Sequence, residues 1–493
     1  MHPVDAIFYW AKHYPHRLAV ALPYMAITYQ AMAEAIDAVC ERIERIEFDR
    51  RRPVAVALAD PGKLLVVCFA LLRQGMPCAP VSANAIKYLA CNDIKVLIGS
   101  GETDIEDVRN IRFDDSWLRK SELHPSGKPE RNRAAAYGDL IFFTSGTTGI
   151  PKKVIVSSEA LVDRAGLVTV TAEAIHKRVL ILPGLGSGFG FNRAVPVLYA
   201  GKTVCFAQGA HAQLRFVNTF GVNVVVASIQ QASDLVEAVE QGAKYRSESL
   251  KEIWISGGFA PDTLVRRIQA SLCRTVRVVY GSSESGFVAS GSYDLISHVP
   301  QAVGFVVPGV QIEIVDSAGS KVACGEEGIV RGRSAYIAKI FATNHPDKAA
   351  AANDAWWYPG DLGRLTEDGI LCITGRIDEV INIGGVKIAA SLLDEAACSY
   401  PGVEDAAVCS IASSSGIEEV WIGIVAGNQI DLDELRRSVE GTQGERIRIA
   451  EIVSIERIPR NELGKLQRHE LKALLLQRRE RTGAWERCNG TAQ

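Results

Sequence analysis

At 493 residues the chain is long enough for a multidomain protein whose larger unit holds several subdomains. Hydrophobic residues make up 47% and charged residues 23%, which supplies buried cores and excludes a disordered chain or a small disulfide-stapled module. Lys plus Arg number 54 against 57 Asp plus Glu, a formal net charge of -3, and this excludes the basic excess of a dedicated nucleic-acid binder.

In chain order, residues 29–46 carry an amphipathic helical pattern and PVAVAL at 53–58 a strand pattern. Residues 64–72 form an apolar run closed by Lys63 and Arg73, half the length of a membrane span, and so predict a buried helix. A further strand is predicted at CAPV, 78–81. Such alternation predicts parallel strands with crossover helices. It recurs with strands at 179–182, 203–206, 223–228, 253–256 and 276–280. From Gln311, short β runs (QIEIVD, GIVRGR, ILCITGR) broken by Gly and Asp predict an antiparallel or barrel-like subdomain. After Gly375 the pattern changes again, to a helix over 391–399, strands over 402–412 and 419–427, and a helix over 432–438. The predicted fold class is α/β, with a large multi-subdomain N-terminal α/β domain (1–375) and a small α+β C-terminal domain (380–480). Residues 376–379 form the boundary, and 481–493 a disordered tail.

Eleven cysteines scattered from Cys40 to Cys488 without a CxxC pair argue against a disulfide framework or a zinc knuckle and fit a reducing cytosol. The first residues lack a long apolar stretch, and Gly490 to Gln493 form no peroxisomal or retention address. A cytoplasmic location with no membrane span is therefore expected. The arginine clusters at 50–52 and 478–481 read as solvated faces.

Apolar residues 140–143 run into Thr144, Ser145, Gly146, Thr147, Thr148 and Gly149, with Lys152 and Lys153 just beyond. A strand ending in hydroxyl and glycine residues can wrap backbone N–H groups around a phosphate, with a lysine near for charge. GxxxxGK[ST] is not matched, and taken alone the segment reads equally well as an ordinary flexible loop.

TSGTTGIPKK at 144–153 resembles the phosphate-loop signature of the adenylate-forming superfamily, which includes acyl-CoA and aryl-CoA synthetases, nonribosomal adenylation domains and beetle luciferases. Further signatures follow in family order: ISGGFAP at 255–261, YGSSE at 280–284, YPGDLG at 358–363, GRIDEVINIGG at 375–385 and PRNELGKLQR at 459–468. The N-terminal stretch RRPVAVALADPGKLLVVCFALLRQGMPCAPV is also similar to the family's.

The resemblance implies attack of a carboxylate on the α-phosphorus of MgATP, giving acyl-AMP and pyrophosphate, followed by transfer of the acyl group to a thiol. By position, Thr144 and Glu284 would hold Mg2+, and Thr144 to Gly149 with Lys152 would cradle the β- and γ-phosphates. Tyr280 would stack on adenine, with Gly257, Gly258, Gly281, Ser282 and Ser283 lining the nucleotide site. Asp361 would accept both ribose hydroxyls, with Arg376 as a nearby donor. Lys465 would arrive on a mobile C-terminal domain to bridge the substrate carboxylate and α-phosphate. Asp378 matches the family's hinge residue, and Gly385 the glycine past which the pantetheine arm runs.

Departures from the family pattern are Glu379 for the more usual Asp, Lys153 for a common Gly, Gly186 for a His or aromatic gate, and Phe259 for a small residue. Gly186 and Phe259 are the expected acid-pocket residues. Gly184, Gly186, Gly188 and Gly190, with no charge between Ile181 and Phe191, predict an uncharged acyl or aryl tail, and Gly186→Trp should then reject bulky acids first.

The first functional reading is an acid–CoA ligase using ATP, Mg2+ and CoA on a small carboxylic acid. The alternative is an acyl-AMP ligase that loads an acyl carrier protein or stops at the adenylate. Absence of an Asp from residues 181–191 disfavours amino-acid activation. The short Glu284–Asp361 spacing leaves little room for the segment that blocks CoA transfer in fatty acyl-AMP ligases. A nucleotide-binding pseudoenzyme or a luciferase-like oxygenase is the remaining class; intact Glu284, Asp361 and Lys465 argue against the pseudoenzyme.

Overall fold

In the apolar run after Pro61, Asp60 caps the helix by accepting from the Lys63 N–H at 2.8 Å, and proline fills the first turn where no donor is needed. The helix, Pro61–Arg73, buries ten residues and stops where Gly75 takes a positive φ of 76°. It is the buried helix that its composition predicts. The structure, a computed structural model, describes residues 1–47, 49–90, 93–101, 105–119, 136–144, 152–167, 178–246, 248–258, 260–341, 356–383, 386–412, 418–427, 430–441, 447–461 and 464–489.

Two large sheets organise the first part of the chain. One has seven strands; the other has thirteen and contains the parallel run Leu18–Leu22, Thr203–Cys205, Arg178–Ile181, Val224–Ser228, Glu252–Ser256 and Thr275–Ser282. Side chains alternate between faces along these strands. Val224, Val226 and Trp254 enter a core shared with helix Pro61–Arg73 and the seven-stranded sheet, whereas Val225, Ile253 and Ile255 face a second core under the helices that follow. Both faces are covered, so the strands read as continuous apolar runs.

The predicted strands and helices are present within a few residues. The antiparallel runs after Gln311 are strands Val310–Val315, Gly328–Ser334 and Ile370–Arg376. They are not a separate barrel: they extend the thirteen-stranded sheet through Ala302–Val306. Their polar alternation reflects one solvated face, not closure.

From Ile381 onward the chain builds cores of its own around Ala390–Cys398 and the sheet Val403–Ala412, Glu418–Ala426 and Ile449–Ser454. The last helix, Arg468–Asn489, runs past Arg481, where a disordered tail is expected. Residues 469–489 contain no proline and are rich in Leu, Arg and Glu, good helix formers that carry the helix past Gly483. Among the cysteines whose side chains are described none forms a disulfide, and among the described residues no helix is long and apolar enough to cross a membrane.

Candidate active site

In open α/β sheets, ligands collect beyond the carboxyl ends of parallel strands. There, strand Glu252–Ser256 leads into Gly257, whose φ of 98° favours glycine, and Gly258. The neighbouring strand Thr275–Ser282 carries Tyr280, then doubles back into antiparallel Gly286–Ser292. A Cβ on Gly281 would lie 2.0 Å from the Gly286 carbonyl oxygen, so only glycine lets this hairpin close. Ser283 and Glu284 sit in its turn, and Ser282 and Ser285 exchange hydrogen bonds across it.

Asp361 opens strand Asp361–Leu365 directly opposite Arg376, so sheet register places the pair. Arg376 Nη1 lies 3.0 Å from Asp361 Oδ1, and Tyr280 Oη donates to Asp361 Oδ2. Asp361 is buried at 7% exposure. Burial first, and then the Asp361 charge, push the Tyr280 phenol well above its ordinary value and keep it a donor. The two groups expected at adenine and ribose are thus bonded to each other, and an incoming diol competes with Tyr280 for one carboxylate oxygen.

Lys465 follows a tight turn. Its N–H donates to Asn461 Oδ1 at 2.9 Å, and its carbonyl accepts from the Asn461 N–H at 2.9 Å. Arg460 holds the turn from below through the Gly464 carbonyl at 3.2 Å and a bidentate pair with Asp405 at 2.7 and 3.1 Å. Gly464, at φ 75°, packs on Gln230 and Ser228 at the end of a parallel strand. The lysine carried by the last cores therefore faces the same cleft, of about 1480 Å³, as Tyr280, Glu284, Asp361 and Arg376.

The cleft also takes in Gly257, Gly258, Gly281, Ser282 and Ser283. Thr144 ends strand Leu140–Thr144 and pairs with Lys152 at the start of Lys152–Val156. Their side chains, and Ser145, Gly146, Thr147, Thr148 and Gly149, lie outside the described residues, as do Phe259 and Gly385. Asp378 lies in the short helical turn Ile377–Glu379 after Arg376, its side chain likewise undescribed.

Gly186 requires a correction. It borders the cleft, but a Cβ there would lie 2.5 Å from the Ser82 backbone nitrogen, and on Gly190 2.4 Å from the Pro183 carbonyl. Gly186 and Gly190 serve close backbone packing and are not an open pocket wall, whereas Gly184, also at the cleft, has open space where a Cβ would stand. We expect Gly186→Ala to cost about 1–3 kcal/mol by overpacking. Thermal unfolding should show the loss, with no selective rejection of large acids. Nor is the wall uncharged: Arg193 borders the cleft, its guanidinium 4.5 Å from the Phe287 ring centroid and 5.6 Å from that of Trp254.

Two arginines escape sequence reasoning. Arg164, 6% exposed, donates to the carbonyls of Tyr336, Ser283 and Glu284. Burial pulls its pKa down to about 9 against the attraction of Glu284. Arg468 Nε lies 3.2 Å from Glu379, its Nη2 is 2.5 Å from Asp394, and it donates to the Val408 carbonyl. Arg468 lies inside the quoted PRNELGKLQR signature, and its spacing from Lys465 was the available signal. Arg164 had none.

The profile of the AMP-binding enzyme family matches residues 7–341. The chain belongs to that family. A salicyl-AMP ligase / salicyl-S-ArCP synthetase of Mycobacterium tuberculosis is 24% identical over 94% of this chain and 88% of its own. An indoleacetate–CoA ligase of Aromatoleum aromaticum is 23% identical over 94% and 96%. The o-succinylbenzoate CoA synthetase of Bacillus subtilis, solved with its acyl-adenylate intermediate, superposes with a TM-score of 0.81 at 20% identity over 95% of this chain and 98% of that one. This family member shares that enzyme's fold of a large N-terminal and a small C-terminal domain.

Proposed function

We propose that this AMP-binding enzyme condenses a carboxylic acid with ATP to acyl-AMP and pyrophosphate and then passes the acyl group to CoA. The carrying observation is the convergence of Lys465 with Tyr280, Glu284, Asp361 and Arg376 on one cleft. A carboxylate and a polyphosphate repel, and Lys465 brings the positive charge that lets them meet. One unit-charge pair at about 4 Å is worth about 4 kcal/mol at an effective dielectric near 20.

In this reading Asp361 accepts the ribose diol, Arg376 donates beside it, and the Tyr280 ring and the backbone of Gly257 and Gly258 receive adenine. The loop from Thr144 to Gly149, with Lys152, takes the β- and γ-phosphates. Glu284 supplies a hard carboxylate donor at the cleft, suited to Mg2+, with Thr144 as the second protein ligand. Bound there, the ion would neutralise charge on the triphosphate. Residues 376–379 act as the hinge about Asp378, and rotation would bring Gly385 beside the thiol's arm.

A carrier-protein acceptor is the second reading, favoured by the M. tuberculosis relative's name. Mixing the protein with ATP, Mg2+ and a panel of acids, then adding CoA or a phosphopantetheinylated carrier protein, tests the acceptor. Thioester on CoA is the expected product. Acylation of the carrier alone transfers the assignment to the second reading.

A further inference from the structure

We propose that Arg164 is a positioning residue that fixes Glu284 against the strands flanking the phosphate loop and so sets how tightly the nucleotide's divalent ion is held. The proposal rests on the reading of Glu284 as a ligand of that ion. Arg164 directs all three guanidinium nitrogens at backbone carbonyls. Its Nη2 reaches the Glu284 carbonyl at 2.6 Å, Nη1 the Ser283 carbonyl at 3.2 Å, and Nε the Tyr336 carbonyl at 2.8 Å. Two successive carbonyls of the hairpin turn are thereby pinned by one rigid fork.

Three details make the joint tight. The Glu284 carbonyl also accepts from the Ala338 N–H at 2.7 Å, so it is held from two sides. Gly286, at φ 70°, lets the guanidinium lie against the hairpin, since a Cβ there would be 3.0 Å from Arg164 Nε. Arg164 belongs to helix Ser158–Gly166, which is capped by Ser157, the residue after strand Lys152–Val156.

That strand connects the parts. Its backbone pairs with Leu140–Thr144 on one side, Thr144 facing Lys152, and with Lys339–Phe341 on the other, just beyond Ala338. Arg164 therefore ties the turn carrying Glu284 to the two strands on which the phosphate loop begins and ends. Mg2+ demands near-ideal octahedral geometry, so a ligand freed by a few tenths of an ångström binds it poorly. Groups that orient a metal ligand typically change affinity about 10–100-fold when removed.

The test is calorimetric binding of α,β-methylene-ATP to the full chain, with and without Mg2+, for wild type, Arg164→Lys, Arg164→Gln and Glu284→Gln. Both Arg164 variants should weaken Mg2+-dependent binding about 10–100-fold, the lysine variant less because it keeps the charge but loses the fork. Affinity without Mg2+ should stay within about three-fold. A folded Arg164→Lys protein with wild-type Mg2+ dependence overturns the proposal, even if Arg164→Gln fails to fold. Equal loss with and without Mg2+ also overturns it, because a purely structural arginine acts that way. Glu284→Gln separates the two ideas: if it shifts the Mg2+ dependence while the Arg164 variants do not, only the arginine's role is wrong. If Glu284→Gln shifts nothing, the ligand reading itself fails.

Discussion

Lys465→Ala should slow acyl-adenylate formation by about 10²–10³-fold, the usual cost of one lost electrostatic donor at the reacting centre. Acyl transfer from supplied acyl-adenylate should stay within a few-fold of wild type. The backbone of the turn is held without the lysine side chain, through Asn461, the Arg460–Asp405 pair and Gly464 against Gln230. Lys465 is itself exposed, so truncation removes charge and little packing. Single-turnover measurement of each half-reaction checks this. Equal damage to both would mean that the lysine serves the fold.

The second large effect is on stability. Arg468→Ala should cost about 3–5 kcal/mol, the range for leaving one partner of a buried ion pair alone. Asp394 and Arg468 side chains are only 18% and 16% exposed, and with the arginine gone Asp394 keeps the Val408 N–H at 2.6 Å. Unfolding of the cores beyond Ile381 should come first in urea or heat. Burial already raises the Asp394 carboxyl above its usual range despite Arg468. Losing the arginine raises it further. Because the unfolded chain ionises first, a raised carboxyl costs stability from its unfolded value upward and in full above its folded value. The deficit of the variant should therefore shrink as pH falls through it. Substituting both residues by apolar ones should recover much of the loss. A constant deficit across acid pH would contradict this account.

Much of this site was legible because its chemistry is local in sequence. YGSSE, YPGDLG and PRNELGKLQR each bring their proposed site residue to a turn or strand end that borders one cleft. What escaped depends on distant packing. Arg164 sits on a short amphipathic helix, where an arginine ordinarily reads as solvated; only the fold lays it beneath a hairpin 119 and 120 residues away. The glycines at 186 and 190 show the same limit. Composition reveals a missing side chain but not what it would have struck, here the backbone of Ser82 and Pro183. Glu379 departs from the family pattern in sequence, and its ion pair with Arg468 ties the segment after Arg376 to the base of the lysine turn.

If one cleft activates a carboxylic acid by adenylation, the fate of ATP in the presence of Mg2+ and a panel of acids reveals it. Acid-dependent formation of acyl-AMP and pyrophosphate by the wild-type protein is expected, with isotope exchange between pyrophosphate and ATP before any thiol is added and release of AMP once CoA is supplied. ADP and phosphate as products, or turnover indifferent to every acid, would contradict this activation.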